Sequence, residues 1–465
     1  MIYQEAKAYV EESKKRGSVL GLSNMRALMN ELGNPQNTIP TIHIAGTNGK
    51  GSVGAYLASI CKEADFKVGR YCSPAVFDEL ESWQYDGRLI TKEEYAKCMT
   101  TIVEAVEAIS SRSEAPFAPT YFELETALAF VYMAEMKPDV FLLETGMGGK
   151  EDATNVVDNP LACIITKISM DHMQFLGNTL AEIAEQKAGI MKPGAWIFWA
   201  DQEPEAREVL KKHFDRVLRE GEKQGIETVH GDFYGRCVEL VATSDERIDF
   251  SYLGIDYETK MTGLYQMQNA SLAIAVFDTI WPALLLGLND DMEYWNANQE
   301  SLVSWVDMEY ACKVGVSKAY WPGRFEVLGE EPFFAIDGAH NEDAVKQLAT
   351  TIENRFTNQP VNFIIGVLAD KAHEKMFKLM EPYANHVYTI TPPNPRGLSA
   401  ESLAEEIGQW NDKVIACESI EAAVDMAFAQ SKEDGCPVIA FGSLSYLGRL
   451  KEHYKQIRES RMENV

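Results

Sequence analysis

Residues 45–52, which read AGTNGKGS, place a lysine inside a glycine-rich turn. The apolar stretch TIHIA precedes this turn and an apolar-periodic segment follows from about Ser52, so the turn joins a strand to a helix. Glycines let backbone amides face an anion, and a helix N-terminus adds partial positive charge. The usual phosphate loop is G-x-x-x-x-G-K-[ST], whereas here Ile44 replaces the first glycine and Gly51 follows Lys50. The pattern predicts a phosphate site, with an ordinary strand–helix turn as the alternative.

Acidic residues end two later apolar stretches. Glu144 closes the stretch FLLE, and Asp171 with His172 follows ITKISM. The carboxyl ends of parallel strands border the ligand crevice, so Glu144 beside a phosphate loop is a candidate magnesium ligand. Asp171 could orient His172 as a second ligand. The alternatives are a solvated strand-end charge and a structural histidine. Lys187, in the helix that follows, is either a site residue or a lysine that complements the helix dipole.

A third group of polar residues lies late in the chain. WPGRFEV supplies Arg324, and FFAIDGAHN is a strand that ends in Asp337, followed by His340 and Asn341 at a helix start. The same strand-end argument makes these residues candidates for a site. Each has a structural alternative, since Asn341 suits a helix N-cap and Arg324 suits a surface ion pair.

The elements that would position these residues alternate between short apolar strands and helical patterns. This alternation predicts an α/β fold, with a P-loop-type, mainly parallel sheet in an N-terminal domain (1–310) and a smaller Rossmann-like α/β C-terminal domain (320–465). Residues 225–262 predict a small antiparallel β flap attached to the first domain. The predicted strands are 41–45, 67–71, 139–144, 161–166, 332–337, 361–367, 386–391, 413–417 and 437–442, and the predicted helices of the first domain are 52–64, 92–110, 121–136 and 179–190.

Composition restricts the partners. Of the 465 residues, 70 are acidic and 43 basic, giving a formal charge of −27 that repels nucleic acid and anionic membranes. The eight cysteines contain no C-x-x-C pair, which argues against a disulfide framework or zinc site and favours reduced, buried thiols. The charged N-terminus lacks the apolar core of a signal peptide and predicts an amphipathic helix, and no apolar run could span a bilayer. We therefore expect a cytoplasmic protein.

The combined motifs resemble folylpolyglutamate synthase and the bifunctional dihydrofolate synthase of the Mur ligase superfamily, along essentially the whole chain. The stretches that carry the resemblance are HIAGTNGKGS, SPAVF, TYFELET, ETGMGGKEDATNVV, DHMQFLG, IAEQKAGIMK, YQMQNA, WPGRFEV, DGAHN, DKAHEK and FGSLSYLG. The resemblance implies a ligase that phosphorylates a substrate carboxylate with ATP and then lets the amino group of L-glutamate attack the acyl phosphate. It also implies Mg²⁺, in one or two ions, and a monomer.

The resemblance assigns roles to particular residues. The ATP-binding residues it implies are Gly46, Thr47, Asn48, Gly49, Lys50, Gly51, Ser52, Asn269, Arg324 and Asp337. The magnesium ligands it implies are Ser73, Glu144 and His172, and Lys187 matches a lysine that becomes carbamylated. The residues it places near the pterin-bearing substrate are Thr120, Tyr121, Phe122, Glu123, Asp152, Ala153 and Thr154, and those near the incoming glutamate are His340 and Ser443. The catalytic set is Lys50, Lys187, His172 and His340.

Four positions depart from the family pattern. Ala75 follows Ser73-Pro74 where many relatives have histidine, Glu81-Ser82 replaces a Glu-Arg pair, Gly21-Leu22-Ser23-Asn24 lacks the usual arginine, and Lys150 stands for another arginine. By family analogy all four lie on the folate side, so they leave the exact substrate open: a tetrahydrofolate derivative, dihydropteroate, or both. A ligase for another acid, such as a peptidoglycan precursor, and a P-loop binding module without ligase chemistry are the competing hypotheses.

Overall fold

The computed structural model describes residues 1–17, 19, 21–226, 228–231, 233, 235–288, 305–371 and 373–462. Its helices are α1 (Tyr3–Ser13), α2 (Ser23–Glu31), α3 (Lys50–Glu63), α4 (Lys92–Ser111), α5 (Tyr121–Met136), α6 (Met173–Leu176), α7 (Leu180–Ala188), α8 (Pro204–Gln224), α9 (Gln266–Leu288), α10 (Trp305–Lys318), α11 (Glu342–Arg355), α12 (His373–Met380), α13 (Ala400–Ile407), α14 (Ile420–Asp434) and α15 (Leu447–Met462).

The strands of the described residues form three sheets. The first sheet contains β1 (Thr41–Ala45), β2 (Val68–Tyr71), β3 (Trp83–Tyr85), β4 (Arg88–Leu89), β5 (Val140–Glu144), β6 (Ala162–Ile165), β7 (Trp196–Trp199) and β8 (Val229–His230). The second contains β9 (Val238–Thr243), β10 (Ile248–Tyr252) and β11 (Ile255–Thr259). The third contains β12 (Glu326–Glu330), β13 (Phe333–Ile336), β14 (Val361–Ile365), β15 (Ala384–Thr389), β16 (Val414–Ala416) and β17 (Val438–Phe441).

The first sheet has the order β4-β3-β2-β5-β1-β6-β7-β8, and all its pairings are parallel except those of the edge strands β3 and β4. Strands β1, β2, β5 and β6 are buried along their whole length, as expected for the centre of a parallel sheet covered on both faces. Their carboxyl ends lie side by side, so the loops that follow them share one edge of the sheet.

Helix α5 shows why this edge is rigid. Its N-terminus is closed by a capping box, in which Thr120 Oγ1 accepts from Glu123 N at 3.2 Å and Glu123 Oε2 accepts from Thr120 N at 2.7 Å. The helix is apolar nearly all round, and Leu124, Leu128 and Phe130 are fully buried in one core cluster. Packing therefore fixes the helix, and the box fixes the loop that enters it.

The third sheet has the order β12-β13-β17-β14-β15-β16, parallel apart from β12. Each of the nine strands predicted from the sequence is present, with bounds that differ by at most two residues. The mainly parallel N-terminal sheet and the smaller C-terminal α/β sheet confirm the predicted fold class.

The chain divides into two compact units. One comprises Met1–Arg236 and Gln268–Ala319, and the other comprises Cys237–Met267 and the residues from Tyr320 onward. This division differs from the prediction that attached the β flap to the first domain. The second sheet is the predicted antiparallel flap, but its polar partners belong to the C-terminal unit: Arg355 Nη2 lies 2.7 Å from Asp245 Oδ1, and Leu264 N donates to Thr351 Oγ1 at 3.2 Å. The sequence pattern identified the strands but carried no signal for these long-range contacts.

Two further expectations concern the cysteines and the presence of membrane-spanning helices. All eight cysteines are free thiols, and seven are buried, in agreement with the predicted absence of a disulfide framework. Within the described ranges, we found no helix with the length and apolar character needed to cross a membrane.

Candidate active site

The glycine-rich loop occupies the edge of the first sheet between β1 and α3. Helix α3 begins at Lys50, two residues before the expected start, so Lys50 and Gly51 belong to its first turn. An α-helix cannot pair the amides of its first turn internally, and this end therefore suits an anion. Thr47 N and Asn48 N donate to Lys167 O at 2.9 and 3.1 Å, which anchors the loop to the segment after β6.

Two glycines of the loop are required by close neighbours. Gly46 has a φ of 154°, and a Cβ there would lie 1.8 Å from Thr166 Oγ1. Gly49 has a φ of 93°, and a Cβ there would lie 2.6 Å from Asn269 Oδ1. Any side chain at either position would collide or be strained. The loop conformation therefore depends on these two glycines, and Asn269, predicted to bind nucleotide, packs directly against it.

Two lysines meet at this loop. Lys50 Nζ donates to Gly46 O at 3.1 Å, and Lys187 Nζ donates to the same oxygen at 2.9 Å. Lys187 is only 4% exposed. Burial, together with the positive charge of Lys50, lowers the pKa of Lys187 to about 7. The structure thus brings together two cationic groups predicted from separate motifs, and it makes one of them easy to deprotonate.

Glu144 lies on the other side of Lys50. Its Oε1 is 3.7 Å from Lys50 Nζ, and both side chains are largely buried. Strand β2, which ends two residues before Ser73, pairs with β5, so Ser73 follows the strand adjacent to Glu144. The Glu144 carboxylate is close enough to act on the pKa of Cys72, which burial and this charge raise to about 12. Ser73 and Glu144 therefore belong to the same sheet edge as the loop.

The positions of Asp171 and His172 differ from the expected arrangement, in which Asp171 orients the His172 ring. Asp171 Oδ1 accepts from the backbone nitrogen of His172 at 2.8 Å, whereas Asp171 Oδ2 lies 3.9 Å from the ring nitrogen Nε2. His172 has a left-handed backbone (φ 49°) and its side chain is 41% exposed. Asp171 therefore hydrogen-bonds the backbone of the turn, and its carboxylate lies farther from the imidazole ring. Asp171 also acts on Lys187, because its charge opposes the lowering of that lysine's pKa.

A cavity of about 530 Å³ opens beside α5, and we call it the α5 cavity. Its lining includes every predicted pterin-site residue except Thr154, namely Thr120, Tyr121, Phe122, Glu123, Asp152 and Ala153, and also Ser73. Three of the four departures from the family pattern contribute to the same wall, through Gly21, Ala75 and Ser82. The departures and the predicted substrate residues therefore belong to one cavity. Thr120 and Glu123 also form the capping box of α5, so their side chains have a structural role there.

Asp152 and Thr154 form a buried chain of hydrogen bonds behind the cavity wall. Asp152 accepts from Met147 N at 2.8 Å and from Thr154 Oγ1 at 2.5 Å, and Thr154 Oγ1 lies 2.8 Å from His43 Nε2. Burial lowers the pKa of His43 to about 3, so the ring is neutral. Since Thr154 donates to Asp152, the Nε2–H of His43 must donate to Thr154. Thr154 thus donates a hydrogen bond to Asp152 and does not line the cavity.

The C-terminal candidates gather at the carboxyl ends of β13 and β17. Asp337 accepts from Tyr265 Oη, Phe325 N and Ala339 N, each at 2.7 Å, and burial raises the pKa of its carboxyl group. A Cβ at Gly338 would lie 2.2 Å from Arg324 Nη1, so Arg324 packs across this turn.

The other two candidates flank that turn. His340 Nδ1 lies 2.8 Å from Gly338 O, and since a carbonyl only accepts, this nitrogen carries the proton. Ser443 Oγ accepts from Ser445 N at 3.3 Å as an N-cap. Asn341 also caps a helix, since its Oδ1 accepts from Ala344 N at 2.9 Å. The structural alternative given for Asn341 is therefore confirmed.

Among the described residues, no three His, Cys, Asp or Glu side chains form a group that could hold a metal ion. Glu144 contributes carboxylate oxygens beside the phosphate loop, and Ser73 contributes a hydroxyl on the neighbouring loop. Oxygen donors of this kind fit Mg²⁺ better than a transition metal.

Known protein families and relatives match nearly the whole chain. A Mur ligase middle domain matches residues 44–277, and a Mur ligase glutamate ligase domain matches residues 323–444. Dihydrofolate synthase/folylpolyglutamate synthase of Bacillus subtilis is 34% identical over 97% of this chain and 99% of its own length. The chain belongs to the Mur ligase family, in its folylpolyglutamate and dihydrofolate synthase branch. Members of this branch are ATP-dependent ligases, and the chain is one of them.

Solved structures of this Mur ligase branch have the same fold. Folylpolyglutamate synthase of Mycobacterium tuberculosis, solved with ADP and AMPPCP, superposes with a TM-score of 0.79 at 28% identity, covering 96% of this chain and 97% of that one. FolC of E. coli, solved with DHPP and ADP, gives a TM-score of 0.77 at 26% identity and covers 99% of each chain. The family resemblance read from the motifs is confirmed.

Three polar residues beside the loop and the α5 cavity were not predicted from the sequence: Arg70 and His43 are buried, and Glu125 is partly buried. Arg70 Nη2 donates to Gly51 O at 2.6 Å and braces the first turn of α3, His43 supports Thr154, and Glu125 lines the α5 cavity. Arg70 and His43 each interrupt an otherwise apolar strand, and this interruption was a usable signal. Glu125 lies two residues beyond the substrate motif, where its spacing indicated nothing.

Proposed function

We propose that this ligase adds L-glutamate to a tetrahydrofolate derivative, forming folylpolyglutamate through an acyl phosphate. The observation that carries the proposal is the convergence of Lys50, Lys187 and Glu144 around one phosphate loop. Beside it lies a cavity large enough for an aromatic substrate. A carboxylate is a poor electrophile until it is phosphorylated, and both reactants are anions, so the site needs cations at the point of transfer.

The loop and its lysine hold the phosphates of ATP in this mechanism. The amides at the start of α3 and the Lys50 ammonium group face the β- and γ-phosphates. The substrate carboxylate oxygen attacks the γ-phosphorus and ADP leaves. The amino group of glutamate then attacks the acyl carbon, loses a proton, and releases inorganic phosphate. Lys50 would stabilise the charge that shifts toward ADP as the phosphoryl group leaves.

Magnesium fits the oxygen donors of Ser73 and Glu144, with His172 as the third ligand that the family resemblance suggests. When bound, Mg²⁺ neutralises charge on the phosphate oxygens. Glu144 would both hold the ion and orient Lys50, because its carboxylate lies 3.7 Å from the lysine nitrogen.

Lys187 suits carbamylation. The reaction needs a neutral amine, which attacks CO₂ and loses a proton, and a pKa of about 7 leaves roughly half of the Lys187 side chains neutral at pH 7. The product is a carboxylate-like group, which would replace a buried cation by a ligand for a second magnesium ion. The neighbouring Lys50 ammonium would stabilise that negative charge.

The remaining candidates divide between nucleotide and amino acid. Asn269 packs on the phosphate loop, and Arg324 and Asp337 share one turn of the C-terminal unit, which supports a role for the three in binding nucleotide. His340 and Ser443 follow adjacent parallel strands and are candidates for contact with the incoming glutamate. We also propose a cytoplasmic monomer that binds neither nucleic acid nor membranes, in keeping with the net charge of −27.

A second activity, joining dihydropteroate to L-glutamate, is the alternative substrate choice. It is favoured by the name of the Bacillus subtilis relative, which contains both activities, and by the E. coli FolC structure with DHPP. Both substrates carry a pterin with the same 2-amino-4-oxo edge and differ in the oxidation state of its second ring, so one site could serve both.

The test is an assay of purified protein with ATP, Mg²⁺ and L-glutamate, offered tetrahydrofolate and dihydropteroate in separate reactions. We expect ADP release that depends on tetrahydrofolate, and release with dihydropteroate if the protein is bifunctional. Release with neither substrate, from folded protein that binds ATP, would contradict the proposal.

A further inference from the structure

We infer that Glu125 determines specificity, by accepting N–H donors from the 2-amino-pyrimidinone edge of the substrate's heterocycle in the α5 cavity. The inference rests on the proposed function, which supplies a substrate with such a heterocycle. It concerns a residue outside the motif that was matched to the pterin site.

The position of Glu125 on α5 directs it into the cavity. Tyr121 and Glu125 are four residues apart, so they share one helix face, and the Tyr121 phenol acts on the pKa of the Glu125 carboxyl group. Both line the α5 cavity. The backbone is held as well, because Trp83 Nε1 donates to Glu125 O at 3.2 Å. The carboxyl group is therefore presented from a rigid element, as a recognition group should be.

Most other acidic groups of the wall have partners of their own, among them Glu11, which pairs with Lys14. Glu79 pairs with Lys7 and Tyr3, and Glu123 closes the capping box. Asp152 accepts from Met147 and Thr154. Glu125 differs because, among the described residues, no ion pair or backbone amide holds its carboxyl group, while the Tyr121 phenol and the Lys14 ammonium group both act on its pKa. A carboxylate has about four acceptor positions, so one phenol leaves capacity for a ligand with two N–H donors.

The surroundings of Glu125 suit a flat ring. Trp83 and Tyr95 make an edge contact at 5.6 Å with an interplanar angle of 77°, and Tyr3 meets Tyr95 in the same way at 5.3 Å. Such contacts hold the aromatic rings in place. A planar heterocycle packed against them would present its edge to the carboxyl group.

The electrostatic environment makes the carboxyl group responsive to a donor. Burial raises the pKa of Glu125 to about 7, while Tyr121 on α5 and Lys14 on α1 lower it and Glu11 on α1 raises it. Tyr95 on α4 and Tyr71 on β2 also face this charge. A ligand that donates two hydrogen bonds would stabilise the carboxylate. A glutamine or an apolar residue would carry no such burial penalty.

The experiment compares two heterocycles in wild-type protein and in Glu125→Gln. One is 2-amino-4-oxopteridine, and the other is its 2,4-dioxo analogue, which presents an oxygen where the first presents the 2-amino group. Binding is measured by titration calorimetry at pH 8, with ligation of the matching substrates as a second readout. We expect wild type to prefer the 2-amino compound by roughly 10- to 100-fold, since a site built for a donor leaves a buried acceptor unpaired with the analogue.

The variant should lose most of that preference, because an amide offers both a donor and an acceptor. Glu135→Gln is the matched control, since Glu135 is an exposed residue near the end of the same helix that pairs with Lys97. It should keep the wild-type preference. Equal preference in wild type and Glu125→Gln would overturn the inference. Discrimination by Glu125 without any ligation would instead leave the inference intact and contradict the proposed function.

Discussion

Lys50 and Lys187 donate hydrogen bonds to the same oxygen, the carbonyl of Gly46, at 3.1 and 2.9 Å. Burial lowers the pKa of Lys187 to about 7, and the repulsion between two ammonium groups so close adds to the effect. The loop thus combines a lysine suited to a phosphate with one suited to losing its proton. This pairing underlies the first three predictions.

Replacement of Lys187 by alanine should remove ligase activity, and short carboxylic acids should restore part of it. A small carboxylate could enter the space left by the side chain and stand in for the carbamate. The measurement is ADP release with and without added formate or acetate. Full activity in the variant without any acid would remove Lys187 from the site.

The stability of the protein should depend on pH through Lys187. Its pKa is about 7 in the folded chain against an ordinary 10.5, so between these values the unfolded chain binds more protons and stability rises with pH. Lys187→Met removes this dependence. In buffer free of CO₂ we expect the variant to gain roughly 2–4 kcal/mol over wild type at pH 7, after allowance for the lost hydrogen bond.

Urea unfolding at pH 7 and pH 9.5 measures the effect. The advantage of Lys187→Met should shrink at the higher pH, where wild type carries less of the cost of keeping the lysine neutral. An advantage of equal size at both values would show that Lys187 has an ordinary pKa.

Replacement of Lys50 by alanine should reduce ligation by at least ~100-fold, the scale expected when a group that stabilises transition-state charge is removed. The fold should survive, because Lys50 packs at the open end of α3. Lys62→Ala, an exposed lysine in the last turn of the same helix, is the control and should retain activity. A Lys50→Ala variant that formed ADP and product at the wild-type rate would show that the loop does not bind the transferred phosphate.

Thr120 should have two separable roles. Thr120→Ala removes the N-cap of α5 and should cost about 1 kcal/mol of stability. Thr91→Ala removes a capping box of the same type from α4, away from the cavity, and should cost a similar amount. Only the Thr120 variant should also raise KM for the folate substrate, and Thr120→Ser should restore both properties. An unchanged KM in Thr120→Ala would leave Thr120 with a purely structural role.

Much of the fold follows from patterns that act locally. Apolar strands ending in Ala45 and Glu144, and the helical pattern at 121–136, depend on neighbours within a few residues, so the sequence predicted them. The flap's attachment to the C-terminal unit depends on pairs such as Asp245 with Arg355, which are far apart in sequence. No periodicity encodes such pairs.

The candidate site divides in the same way. Lys50 and Glu144 were predicted from loop and strand-end motifs and Lys187 from the family resemblance, and the structure brings the three together. Their shared contact with Gly46 and the altered pKa of Lys187 depend on burial, which only the folded chain supplies. Glu125 escaped prediction for the same reason, since a glutamate on a helix ordinarily lies in solvent.

The most direct test of the account follows one oxygen atom. A folate substrate with oxygen-18 at both oxygens of its γ-carboxylate is ligated to L-glutamate with unlabelled ATP, and the released phosphate is analysed by mass spectrometry. Because the carboxylate oxygen attacks the γ-phosphorus and remains bonded to it, the account predicts one oxygen-18 atom in each phosphate released. Product formation with unlabelled phosphate would contradict the acyl-phosphate mechanism.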